Sequence, residues 1–246
     1  MTVSVVGPAG MGKTALVKSF LDVLTNERCA VLLPGRAHER ESVPYKAMDS
    51  WIDALSRHLL RLSDLGTQVT LPKEVWALSR LFPVLRRVPE IAEAREQVIG
   101  DPERARRRAF TALRELLASL AQRQPIVIHV DDAHWGDANS AALLLDLVRP
   151  PNAPAVLIVL TSRDEEMRSS PFLAETRAHW PPGAEARTIT LDALAFEDAR
   201  QLALTLLGSS GDTAQATAAA AARESKGNPQ LIEELVRGRQ NESQGR

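Results

Sequence analysis

Cysteine, charge of one sign and long apolar runs are all scarce in this 246-residue sequence. Cys29 is the single cysteine, which excludes an internal disulfide and favours a reducing compartment. The formal net charge of −1 argues against a broad face for nucleic acid or membrane. The longest apolar run, residues 155–160, is too short to cross a bilayer, and residues 1–6 lack signal-peptide features. We therefore expect a cytoplasmic protein without direct nucleic-acid or membrane partners.

Metal-ligand spacing and nucleophilic triads are also missing. The five histidines are scattered, and no Ser-His-Asp arrangement stands out. Metallohydrolase and acyl-transfer functions are therefore not indicated. The densest basic run, at residues 104–108, spreads around a predicted helix beside Glu103. A solvated helix face explains this run better than an RNA site does.

The sequence does contain short apolar runs that alternate with helical segments. Apolar runs predict strands at residues 3–6, 30–33, 126–130, 155–160 and 187–191. Helical spacing of apolar residues is found at 13–26, 45–62, 102–122 and 138–148. The alternation predicts an α/β fold, a three-layer sandwich whose parallel sheet is covered on both faces.

The pattern changes after residue 191, which sets the predicted domain boundary. Three helices without strands follow, at 196–207, 213–224 and 230–237. We predict an α/β domain over 1–191, a helical lid over 192–237 and a flexible tail over 238–246. Prolines divide residues 63–100 into short helices, which we place as an insertion on one face. Because the first strand starts at Thr2, we expect the chain to be one domain of a larger protein.

A glycine-rich segment between the first strand and first helix carries the clearest chemistry. Its sequence is Gly7-Pro8-Ala9-Gly10-Met11-Gly12-Lys13-Thr14, the eight-residue pattern of a P-loop. Glycines let successive N–H groups face a phosphate, and the helix N-terminus adds positive potential. Lys13 is predicted to reach the β- and γ-phosphates and Thr14 to bind Mg²⁺, while Ala15 completes the nucleotide-binding segment. A chance glycine-rich turn is the weaker alternative.

Two acidic residues follow the third predicted strand. Asp131 and Asp132 come to the carboxyl edge of the sheet, where open α/β sheets bind ligands. Asp131 is predicted to hold Mg²⁺, mostly through water, and Asp132 to orient or deprotonate the attacking water. Alone, these acids would be interpreted as turn or capping residues; the P-loop favours the catalytic interpretation. Trp135 and Asp137 are interpreted as a packing residue and a helix cap.

Arg163 and Pro229 have two interpretations each. Arg163 ends the fourth predicted strand, where it could sense the γ-phosphate or could be a surface arginine paired with Asp164 or Glu165. Charge alone favours neither of these two interpretations of Arg163. Pro229 opens the last predicted helix, and capping geometry alone explains a proline there.

Four segments together resemble the AAA-type ATPase domain of the signal-transducing STAND NTPases. They are the P-loop, Val130-Asp131-Asp132-Ala133-His134-Trp135-Gly136-Asp137, Thr161-Ser162-Arg163 and Gly227-Asn228-Pro229-Gln230-Leu231-Ile232-Glu233-Glu234-Leu235. Such domains occur in large bacterial signalling and transcriptional regulators. The resemblance implies a P-loop NTPase with sheet order 5-1-4-3-2. It also implies that ATP with Mg²⁺ binds and is slowly hydrolysed, which switches the protein between states, often with self-association.

The resemblance also assigns roles to individual residues. It implies that Asp132 is a hydrolytic residue, that Arg163 senses the γ-phosphate and that Pro229 contacts the base. With Lys13, whose role the P-loop pattern gives, Asp132 and Arg163 are the predicted catalytic residues. No Asn-Lys-x-Asp run follows the fourth strand, so adenine is favoured over guanine. The family's Gly-Arg-Glu-like segment before the first strand is missing here, and we expect the isolated chain to bind nucleotide weakly.

Two alternatives to a regulatory ATPase stay open. A small-molecule kinase would need an acceptor pocket, which only residues 63–100 could form. An interaction scaffold would retain ADP for stability and turn nothing over.

Overall fold

A five-stranded parallel sheet, in the order β2-β3-β4-β1-β5, forms the centre of the fold. The computed structural model describes residues 1–39, 43–97 and 100–244, and for residues 240–244 it describes the backbone alone. The strands are β1 (Thr2–Gly7), β2 (Val31–Arg36), β3 (Ile126–Asp131), β4 (Val156–Arg163) and β5 (Ala186–Thr190). This is the predicted order 5-1-4-3-2 counted from the other edge, so the predicted fold class is confirmed.

Helices connect the strands and continue after the last one. They are α1 (Lys13–Asn26), α2 (Lys46–Asp64), α3 (Val75–Leu81), α4 (Pro89–Ala92), α5 (Pro102–Ala121), α6 (Ala138–Leu147), α7 (Pro171–Ala178), α8 (Phe196–Leu207), α9 (Asp212–Glu224) and α10 (Pro229–Gln244). In the described ranges, no helix is both long and apolar enough to span a membrane.

The last helix differs from its predicted extent. We expected it to end at Arg237, but α10 continues to Gln244. A polar sequence can continue a helix whose earlier turns are anchored, as they are here by buried Ile232 and Val236. The flexibility predicted for residues 238–246 stays a prediction, and residues 245–246 lie outside the described part of the chain.

The strand β3 lies between β2 and β4 and is buried along its whole length. In the parallel register, Ile126 pairs with Val31 on one side and with Val156 on the other. Ile126, Ile128 and Val130 join the main hydrophobic core. Because side chains alternate along a strand, Asp131 shares the opposite face with Val127 and His129.

The strand β2 extends three residues beyond the predicted end at Leu33. Pro34 would interrupt a central strand, because proline cannot donate a ladder hydrogen bond. The strand β2 is at the edge of the sheet, so its proline is tolerated there. Gly35 lets helix α2 approach closely, since a Cβ at this position would lie 3.0 Å from the backbone nitrogen of Trp51. The extension brings Arg36 to the carboxyl end of the strand.

The chain divides into two compact units, each with its own core. The first comprises residues 1–5 and 17–189, and its core includes the fully buried Trp51, Leu55 and Leu113. The second comprises residues 6–16 and 190–246, and its small core is rich in alanine: Ala199, Ala203, Ala218, Ala221, Ala222, Ile232 and Val236. The predicted boundary at residue 191 placed the P-loop in the first unit, whereas contacts group residues 6–16 with the C-terminal helices.

Candidate functional site

The glycine-rich segment curls between β1 and α1 as the P-loop pattern predicts. Gly10 and Gly12 have φ angles of 80° and 82°, which side-chain-bearing residues rarely adopt. Helix α1 begins at Lys13, whose side chain is buried. Its Nζ donates hydrogen bonds of 2.7 Å to the carbonyl oxygens of Gly7 and Pro8. The loop therefore wraps around an ammonium group at the start of a helix.

Helix α10 contacts this loop within the second unit. Nδ2 of Asn228 donates to the carbonyl oxygen of Ala9 at 3.1 Å, and the backbone nitrogen of Gln230 donates to that of Gly10 at 3.2 Å. Pro229 lies between these two residues, in the segment that meets the loop. Pro229 is a predicted site residue and Asn228 is not, although both belong to the Gly227-Asn228-Pro229 segment.

The acidic residues after β3 are joined by a threonine from the neighbouring strand β4. The Thr161 hydroxyl donates to Oδ1 of Asp131 at 2.6 Å and accepts from the backbone nitrogen of Asp132 at 2.9 Å. Asp131 is buried, and Asp132 has a left-handed backbone with φ 53°. This hydroxyl therefore bridges the Asp131 carboxylate and the Asp132 backbone, a contact that was not predicted from the sequence.

Arg36 is the second residue at these acids that was not predicted from the sequence. Its Nη2 lies 2.7 Å from Oδ2 of Asp132, and its Nε lies 3.9 Å from Oδ2 of Asp131. The hydrogen bond to Asp132 raises the pKa of the guanidinium above its ordinary value, against a smaller lowering by burial. The position of Arg36 at the end of a strand was the available signal, but β2 was predicted to end before it.

Arg163 and Asp137 have different surroundings. Arg163 ends β4 half-buried, and no residue in the described part of the chain forms an ion pair with it. The Asp164 carboxylate instead accepts from the backbone nitrogen of Glu165 at 3.0 Å. Asp137 caps α6 by accepting from the backbone nitrogen of Ser140 at 2.6 Å, so its predicted capping role is confirmed. Trp135 packs against the main core.

His129 is a buried histidine on the same sheet face as Asp131. Burial lowers the pKa of its imidazole, against a smaller raising by the Asp131 charge. Within the described residues, its Nε2 has no hydrogen-bond partner. The ring is therefore held neutral in the folded protein near pH 7.

Each unit carries, on its own, groups of the kind that bind a nucleotide or its Mg²⁺. A Cβ added at Gly12 would meet no atom of the described residues within 4 Å, so the space beside this glycine is open. Backbone N–H groups and the Lys13 ammonium suit phosphate oxygens. In the second unit the Thr14 hydroxyl is a hard oxygen donor of the kind that Mg²⁺ prefers, and in the first unit the Asp131 carboxylate is another.

The family model described as AAA ATPase domain matches residues 1–159, which include the P-loop and both acids. The chain belongs to the AAA ATPase domain family. This AAA ATPase domain is therefore a nucleotide-binding NTPase by class. Arg163 and Pro229 lie beyond the matched residues, and no curated protein matches the chain.

A solved structure supports the same fold. A Walker-type ATPase of Pyrococcus abyssi matches with a TM-score of 0.54 and 16% sequence identity, over 96% of this chain. At that identity the likeness shows the fold alone. This AAA ATPase domain spans 61% of the length of that protein.

Proposed function

We propose that this chain is a regulatory ATPase module that binds Mg-ATP, hydrolyses it slowly and thereby switches a larger signalling or transcriptional regulator. The observation that carries the proposal is the curled loop, in which Lys13 Nζ is held 2.7 Å from two loop carbonyl oxygens. An ammonium group in that position can exchange these carbonyls for phosphate oxygens. Membership of the AAA ATPase domain family supports the proposal.

The nucleotide would be held by residues 7–15. In this proposal the loop amides and Lys13 bind the phosphates, and Thr14 and Asp131 hold Mg²⁺. Mg²⁺ bound there would neutralise negative charge on the phosphates. Pro229 contacts the base, which we propose to be adenine.

Hydrolysis would depend on positioning and charge. Asp132 orients or deprotonates the attacking water, and Arg163 stabilises the charge that develops on the γ-phosphate. The position of Arg163 at the carboxyl end of β4 supports this assignment. Slow turnover is what the resemblance to the STAND NTPases implies.

The proposed partners are other domains of a larger regulator and further copies of the chain. One face of helix α1 carries three exposed apolar side chains. They are Leu16, Phe20 and Val23, which are 44%, 42% and 50% exposed. A row of apolar side chains in this position supports a contact surface.

Calorimetric titration with Mg-ATP, Mg-ADP and Mg-GTP, on the wild type and on Lys13→Ala, tests the proposal. We expect selective ATP binding that is lost in the folded Lys13→Ala variant. Lys18→Ala is the matched control, because Lys18 is an exposed lysine on the same helix. Unchanged ATP affinity in folded Lys13→Ala would overturn the site assignment.

A small-molecule kinase is the second candidate. A cavity of about 450 Å³ lies against α2 and the segment after it, lined in part by Ser63, Gln68 and Glu90. None of the predicted site residues lines it, which ranks this candidate below the ATPase. Phosphoryl transfer to a metabolite at a rate above hydrolysis would favour it. Tight ADP retention without phosphate release, unaffected by Asp132→Ala, would favour a scaffold.

A further inference from the structure

Asn228 is held in place by the connection between α9 and α10. Its backbone nitrogen donates to the carbonyl oxygen of Ser225 at 3.0 Å, and the backbone nitrogen of Leu194 donates to that of Gly227 at 2.9 Å. Gly227 has φ 81°, and a Cβ there would lie 2.2 Å from the carbonyl oxygen of Leu194. Only glycine fits at this point. The position of the next residue, Asn228, is therefore fixed by its own backbone rather than by the loop it touches.

The two ends of the Asn228 amide have different partners. Oδ1 accepts from the backbone nitrogens of Gln230 and Leu231, at 3.0 Å and 3.2 Å, which is an N-cap of α10. Nδ2 donates to the carbonyl oxygen of Ala9 in the phosphate loop at 3.1 Å. One planar group thus joins the first turn of the helix to the loop. Serine or aspartate could cap equally well, but neither ionised aspartate nor the shorter serine could also donate to Ala9.

The loop is shaped to receive this side chain. A Cβ added at Gly10 would lie 2.6 Å from Oδ1 of Asn228 and 3.0 Å from its Nδ2. The backbone nitrogen of Gln230 adds a second hydrogen bond to the loop, at the carbonyl oxygen of Gly10. The glycine therefore does more than permit a turn, because it also leaves room for the amide.

We propose that Asn228 is a positioning residue that couples the conformation of the phosphate loop to the first turn of α10. When the loop moves, the hydrogen bond to the Ala9 carbonyl moves the Asn228 amide, which also caps α10. The loop and the first turn of α10 therefore move together. This inference rests on the proposed function for its trigger, since nucleotide is what would rearrange residues 7–14. The coupling itself is a property of the protein without nucleotide.

Two substitutions separate the cap from the coupling. Asn228→Ser keeps a capping oxygen and removes the donor to Ala9, without adding charge. Asn228→Asp also keeps the cap and places an acceptor against the Ala9 carbonyl oxygen, and it serves as the second variant if the serine variant does not fold. Asn26→Ser is the matched control, because Asn26 is an exposed asparagine at the end of α1.

Amide hydrogen exchange, followed in peptides covering residues 6–16 and 229–239, tests the coupling. Without nucleotide, we expect exchange in the loop to be about fivefold faster in Asn228→Ser than in the wild type, the effect of one neutral hydrogen bond. With Mg-ATP, the wild type should gain protection in both peptides. Asn228→Ser should gain it in the loop alone, and Asn26→Ser should behave as the wild type.

Unchanged loop exchange in nucleotide-free Asn228→Ser would overturn the coupling, and so would a helix response to Mg-ATP as large as that of the wild type. A purely structural cap predicts those two results, since the serine retains the cap. If the wild type binds no nucleotide, the proposed function fails, but the comparison without nucleotide still decides the coupling.

Discussion

Arg36 and Asp132 lie 96 positions apart in the chain, yet the guanidinium Nη2 and the carboxylate Oδ2 are 2.7 Å apart. The pair forms because the carboxyl ends of neighbouring parallel strands meet at one edge of the sheet. Its consequence is electrostatic. Asp131 and Asp132 are adjacent negative charges, and a polyanionic nucleotide would be repelled by both without a compensating cation.

Arg36→Gln should therefore weaken Mg-ATP binding. We expect the KM for ATP to rise about fivefold, the equivalent of ~1 kcal/mol for a partly exposed, hydrogen-bonded ion pair. The kcat should not fall, because the substitution also releases the Asp132 carboxylate. Steady-state phosphate release at two ionic strengths measures this, and the effect should shrink at the higher one.

Arg57→Gln is the matched control for that measurement. Arg57 pairs with Asp53 on α2, and its side chain is 54% exposed against 58% for Arg36. The control should leave the KM unchanged. An equal rise in both variants would show that general charge loss, rather than the Asp132 contact, sets the affinity.

Thr161→Val should reduce turnover more than binding. Valine keeps the shape of threonine but removes the hydroxyl that links Asp131 and Asp132, leaving the backbone nitrogen of Asp132 without this acceptor. We expect ~1–3 kcal/mol of destabilisation and a lower kcat with little change in KM. Thr176→Val is the control, since the Thr176 hydroxyl bonds within α7 and should affect stability alone. Equal losses of kcat in Thr161→Val and Thr176→Val would contradict a specific role of the Thr161 hydroxyl in turnover.

Much of the fold could be predicted because the alternation of apolar runs and helical periodicity is local. Helices α1 and α8 have their predicted limits, and the sheet order follows from the family resemblance. The extension of β2 through Pro34 could not be predicted, because proline is tolerated only at an edge and the edge is a tertiary property. Helix α7 was missed, although Ser170 caps it and Pro171 opens it.

The residues of the candidate site also fall into a predictable group and an unpredictable group. The P-loop and the two acids carry contiguous sequence signals, whereas Arg36, Thr161 and Asn228 act through contacts between distant segments. Asn228 and Ala9 are separated by 219 positions, and no spacing rule connects them. The catalytic and binding roles predicted for individual residues stay predictions until measured.

Leu113→Ala tests the core of the first unit. Leu113 on α5 is fully buried in the main core. Its truncation should lower the free energy of unfolding by about 2–5 kcal/mol, from lost transfer energy and the cavity left behind. Leu65→Ala, where the leucine is 78% exposed, should change it by less than about 0.5 kcal/mol. Urea unfolding measures both, and similar losses would contradict the described burial.

His129→Val should change how stability depends on pH. Burial lowers the pKa of His129 in the folded protein, so the unfolded chain binds this proton more readily. The stability contribution is therefore complete above the ordinary value of about 6.5 and is lost as the pH falls below it, by up to ~1.4 kcal/mol per pH unit. Urea unfolding between pH 7.5 and 5.5 should show a shallower decline in His129→Val. Part of the decline should persist, because burial also lowers the pKa of His58. If the free energy of unfolding of His129→Val declined with pH as steeply as that of the wild type, the prediction would be wrong. His129 would then bind its proton equally well in the folded and unfolded protein.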